Sequence, residues 1–76
     1  MNAQRRKAIE KIYTAIEEAK SDLESVCEDE QEAFSNIPES FEGSERYETS
    51  ENAIENLEEA ISGLEDILEY LEEASA

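Results

Sequence analysis

Apolar side chains recur in alternating steps of three and four along two long stretches of the chain, which is the spacing of an amphipathic helix. In the first stretch they fall at Ile9, Ile12, Ile16, Ala19, Leu23, Val26 and, past a polar interruption at Glu30, at Ala33. Written as a heptad with Ile9 at a, these are the a and d positions. The e row, Tyr13, Lys20, Cys27 and Phe34, widens the stripe. The second stretch is stricter, with Ile54, Leu57, Ile61, Leu64, Leu68 and Leu71 at a and d. Its g row holds Ala53, Ala60, Ile67 and Ala74, and the three alanines would let another helix approach closely. Its opposite flank is charged, with Glu51, Glu58, Glu65 and Glu72 at e and Glu59, Asp66 and Glu73 at f.

Pro38 separates the two stretches, because proline lacks an amide donor and pushes the residue before it out of the α region. The pattern predicts one domain over residues 1–76, with a helix over about 3–35, a loop over about 36–44 and a helix over about 45–74. Ser44 is the expected N-cap of the second helix, with Thr49 and Ser50 as later alternatives, and Glu45 and Glu48 suit the positive end of its dipole. Gly63 falls at an outward c position, where glycine costs about 1 kcal/mol relative to alanine.

Two helices of this length joined by so short a loop return antiparallel, so the expected class is all-α, an antiparallel helical hairpin. Pairing about the loop puts Val26 near Leu57, Ala19 near Leu64 and Ile12 near Leu71. It also sets the basic cluster Arg5, Arg6, Lys7 and Lys11 beside Glu69, Glu72 and Glu73, as a neutralising strip across the open end. Two helices leave apolar stripes of this width only partly covered, so the expectation extends to a homodimer, a four-helix bundle joined through Ala53, Ala60, Ile67 and Ala74.

Composition narrows the function. The 76 residues include 22 acids, six bases and no histidine, a formal charge of −16. The lone Cys27 excludes a disulfide within the chain, and with no histidine there is no zinc ligand set, no Ser-His-Asp triad and no Cys-His pair. Two separated glycines make no phosphate-cradling loop. Glu28-Asp29-Glu30 clusters oxygens without the ligand spacing of an EF-hand. No enzyme, cofactor or metal site is therefore expected. Neither a signal peptide nor a membrane span is legible, and a single thiol fits a reducing cytoplasm. So acidic a surface would be repelled by nucleic acid and by anionic lipid, which disfavours direct binding to either.

What remains is a protein partner with a basic surface. Sixteen net negative charges on a rod of about 45 Å give one per roughly 3 Å, against one per about 1.7 Å of duplex DNA, and a dimer would approach the DNA value. Parallel carboxylate rows suit the basic groove of a nucleic-acid-binding protein. The candidate contact residues are Glu51, Glu55, Glu58, Glu59, Glu65, Asp66, Glu69, Tyr70, Glu72 and Glu73, with Tyr70 the aromatic anchor among the acids. Glutamate is also a good helix former that solvates an outer face without any partner, and salt adaptation is a third reading of the acids. Cys27 reads as a small buried apolar residue. Tyr13 and Phe34 read as core, while Phe41 and Tyr47 read as folding back over the loop end.

The run from Asn36 through Ile37-Pro38-Glu39-Ser40-Phe41-Glu42-Gly43-Ser44 to Glu48, between a helix with a basic start and a Glu/Leu-rich helix, resembles small acidic proteins of phage and prophage type. That resemblance implies a mobile-element origin and an inhibitor of a host defence or DNA-processing protein. It brings no site residues. The alternative is a self-associating structural or adaptor bundle that engages a partner through its apolar stripe.

Overall fold

The computed structural model describes residues 1–41 and 43–76; Glu42, in the expected loop, lies outside the described residues. Helix α1 spans Ala3–Ser35, a short 3-10 turn spans Glu39–Phe41, and α2 spans Glu45–Ser75. The helices pack against each other as an antiparallel hairpin, a rod with Cα extents of 59 × 15 × 13 Å. No described helix is long and apolar enough to cross a membrane.

Local chemistry sets the ends. Asn2 caps α1, its Oδ1 accepting the Arg5 amide at 2.8 Å, a cap the hydrophobic pattern does not reveal. At α2 the Ser44 hydroxyl oxygen accepts the Tyr47 amide at 3.2 Å, and Glu45 and Glu48 occupy the first turn. Gly43 has φ +80°, which L side chains rarely adopt, so it supplies the reversal that aims the chain into this cap. The loop end is closed by Phe34 against Tyr47, with ring centroids 4.7 Å apart and planes tilted by 41°. Phe41 does not join them; it stands 56% exposed, which corrects the expectation that it folds back.

The seam of α2 follows its a and d rows as expected. That of α1 does not. Its shielded residues are Ile9, Tyr13, Ile16, Lys20, Leu23, Cys27, Glu30 and Phe34, the a and e rows, while Ile12, Ala19, Val26 and Ala33 at d are exposed. A three-four pattern fits either choice, and side-chain size decides: turning e inward covers two aromatic rings, a thiol and the stem of Lys20, whereas d would cover Ile12, Val26 and two alanines. The heights of the expected pairing survive, since Tyr13 meets Glu72 and Lys20 meets Glu65, but Ile12, Ala19 and Val26 turn outward.

Two polar residues of the seam satisfy each other. The buried Ser50 hydroxyl donates to Glu30 Oε1 at 2.7 Å, which explains how the acidic interruption of the first stripe is accommodated. Apolar burial is thin beyond this. Cys27 and Leu68 are the buried hydrophobic residues among those described.

Candidate functional site

The seam shift divides the hairpin into two chemically distinct long faces. On one, the e row of α1 meets the e row of α2. Tyr13 Oη donates to Glu72 Oε1 at 2.8 Å, Lys20 Nζ lies 3.3 Å from Glu65 Oε1 and 3.9 Å from Glu24 Oε1, and Gln31 Nε2 donates to Glu58 Oε1 at 3.2 Å. Three of the four glutamates in that row are thus engaged by α1. They cross-link the helices as well as charge the surface, although exposed pairs of this kind contribute only about 0–1 kcal/mol each. Beyond them the b and f rows of α2, Glu55, Glu59, Asp66, Glu69 and Glu73, stand exposed with no ion pair among the described residues. Glu10, Glu17 and Glu24 of α1 extend the acidic face on its other side.

The opposite face carries the outward d row of α1 beside the g and c rows of α2. Ala33 and Ala53 line one open groove of about 570 Å³ at its loop end, together with Glu30, Glu45, Arg46 and Thr49, so the two rows share a side. Along α2 the sequence Thr49, Ala53, Asn56, Ala60, Gly63, Ile67, Tyr70 and Ala74 runs in steps of four and three without a charge. Ala53 is half-buried, Ala60, Ile67 and Ala74 are exposed, and Tyr70 is 69% exposed. Tyr70 therefore belongs with the apolar side, although its neighbours in sequence are acids. Gly63 lies in the middle of this stripe, and nothing comes within 4 Å of where its Cβ would be.

The basic cluster differs from expectation. Among the described residues, Arg5, Arg6, Lys7 and Lys11 form no ion pair, and Glu72 is taken by the Tyr13 hydroxyl instead. Tyr13 is half-buried at the seam while the four basic side chains are exposed, and it is the phenol that makes the cross-hairpin bond.

Among the described residues, Tyr13 and Cys27 have shifted ionisation. The hydrogen bond to Glu72 foremost, then burial and the charges of Glu72 and Glu17, raise the Tyr13 phenol above its ordinary value. Burial foremost, then Glu58 and Glu28, raises the Cys27 thiol. In both, folding favours the protonated form, so their contribution to stability is present below the ordinary pKa and is lost as pH rises through the elevated one. The same placement predicts a sluggish thiol. Alkylation of Cys27 at pH 8 should proceed at least about tenfold more slowly in the folded protein than in urea; equal rates would contradict its place in the seam.

The described residues include no cluster of three or more His, Cys, Asp or Glu side chains arranged to hold a metal ion. No known protein family, curated protein or solved structure matches the chain.

Proposed function

We propose that this protein is a non-enzymatic acidic interaction module that occupies the basic groove of a nucleic-acid-binding protein and so competes with nucleic acid there. The observation that carries the reading is segregation. The unpaired acids of α2 gather on one side of the rod, and the α2 rows that face the other side, g and c, carry no charge except Arg46. Solvation alone is served by acids on every outer row, and does not call for a bare face. Sixteen net charges along 59 Å give one per about 3.7 Å, and a second copy alongside would bring the spacing close to the roughly 1.7 Å of duplex DNA. A phage-type inhibitor of a host defence or DNA-processing protein, acting in the bacterial cytoplasm, is the setting that fits this chemistry.

The second reading is an adaptor that binds a partner through the apolar face. The exposed Ile12, Val26, Ile67 and Tyr70 favour it, since they offer apolar anchors clear of the acids. Capture from nuclease-treated bacterial lysate separates the two. A nucleic-acid-binding protein released between about 50 and 200 mM salt, and displaced by added DNA, supports the first. A partner indifferent to salt and to DNA supports the second.

A further inference from the structure

We infer that the face carrying the outward d row of α1 and the g and c rows of α2 is the contact between two copies of this chain, stacked face to face with their loops at opposite ends and with the two α2 helices crossing near Ala60 and Gly63. This builds on the self-association expected through Ala53, Ala60, Ile67 and Ala74 and adds the α1 half of the surface and the orientation.

The case for a second copy begins with area. A compact monomer of this mass exposes about 4,700 Å², whereas this chain exposes 5813 Å². The excess, roughly 1,100 Å², is the amount that one side of a stable interface buries, about 800 Å² or more. The face itself measures roughly 59 by 15 Å, so it can supply that area. What lies on it suits a helix: Ile12, Val26 and Ile67 as knobs, and Ala19, Ala33, Ala60 and Gly63 as low ground between them. Gly63 stands where a side chain would hold a facing helix away, and the space above it is open.

Charge then chooses the orientation. Two face-to-face arrangements have two-fold symmetry. With the axis along the rod, the loops coincide and α2 of each copy lies over α1 of the other. With the axis across the rod, the loops separate and each helix lies antiparallel over its own counterpart. Residues 21–63, the loop half, hold fourteen acids and one base, while the rest of the chain holds eight acids and five bases. Coincident loops would stack two strongly negative halves on each other. Separated loops set each nearly balanced end, with Arg5 and Lys11 free of ion pairs among the described residues, against the acidic half of the other copy, where Asp29 and Glu32 border the same face. In this arrangement Ala19 of one copy meets Val26 of the other, and Ile12 meets Ala33. The exposed Tyr70 reaches the height of Ala53 and the groove beside Arg46 in the other copy.

The test uses the full chain with Cys27→Ala, single cysteines on the face, and solution mass by light scattering. Twice the chain mass is expected. Chains carrying Ala19→Cys mixed with chains carrying Val26→Cys should form an intermolecular disulfide on mild oxidation. Chains carrying Ala33→Cys mixed with chains carrying Ala53→Cys should not. The reverse pattern would overturn the orientation while keeping self-association. A mass of one chain at high micromolar concentration, with helix content intact by circular dichroism, would overturn the dimer and leave the face to another partner. Neither result bears on the acidic face, whose partner is read out separately by salt and DNA competition.

Discussion

Replacing Glu55, Glu59, Glu69 and Glu73 with glutamine and Asp66 with asparagine should abolish partner binding while leaving the hairpin as stable as before or more so. These five carboxylates are exposed and make no ion pair among the described residues, so their neutralisation removes surface charge without removing an internal contact. If each contributes about 0.5–1 kcal/mol to a charge-complementary interface, the five together account for a loss of roughly 10²- to nearly 10⁴-fold in affinity. Stability moves the other way, because a formal charge of −16 on one small rod is self-repulsive. Glu58, Glu65 and Glu72 are poorer choices for this experiment. They bond to Gln31, Lys20 and Tyr13, so reversing them would damage the fold and the surface together. Calorimetric titration of the captured partner reads the affinity, and unchanged binding by the five-fold variant would remove the acidic face from the interface.

Leu68→Ala should unfold most of the protein at ambient temperature. Leu68 is the largest side chain among the buried hydrophobic residues, at 8% exposure, and lies at an a position in the seam. Truncating a buried leucine costs about 2–5 kcal/mol, and a domain of this size without disulfide or metal has roughly 3–5 kcal/mol to lose. Thermal melts followed by circular dichroism should show the cooperative transition lost or displaced below about 25 °C. Leu68→Met, which nearly conserves volume, should cost under about 1.5 kcal/mol and keep the transition. A shift of only a few degrees for Leu68→Ala would mean that the hairpin draws its stability from somewhere other than this seam.

The hairpin itself was legible because three signals agree: a three-four apolar rhythm in each half, Pro38 between them, and a capping serine at Ser44. The phase of α1 was not. Ile12 and Val26 are as apolar as Ile9 and Leu23, so counting hydrophobic positions could not show that they face outward. The usable sign was the e row, where Tyr13 and Phe34 carry more area to bury than Ala19 and Ala33. Glu30 looked like a break in the stripe because its partner Ser50 comes from the other helix, and a pairing across the loop cannot be read from either segment alone. The candidate surface was legible in part. The rows of acids follow from periodicity, but which glutamates are engaged depends on what α1 sets opposite them. Gly63 and Tyr70 acquired a shared context only when the outward d row of α1 fell on their side of the rod.

The most direct test of the account is a displacement titration. Labelled DNA is bound to the captured partner, the acidic protein is added, and fluorescence anisotropy is followed at several salt concentrations. Complete release of the DNA is expected, with the protein's competing affinity falling by at least tenfold between about 50 and 200 mM salt. A ternary complex in which the DNA stays bound, or displacement that is indifferent to salt, would contradict it.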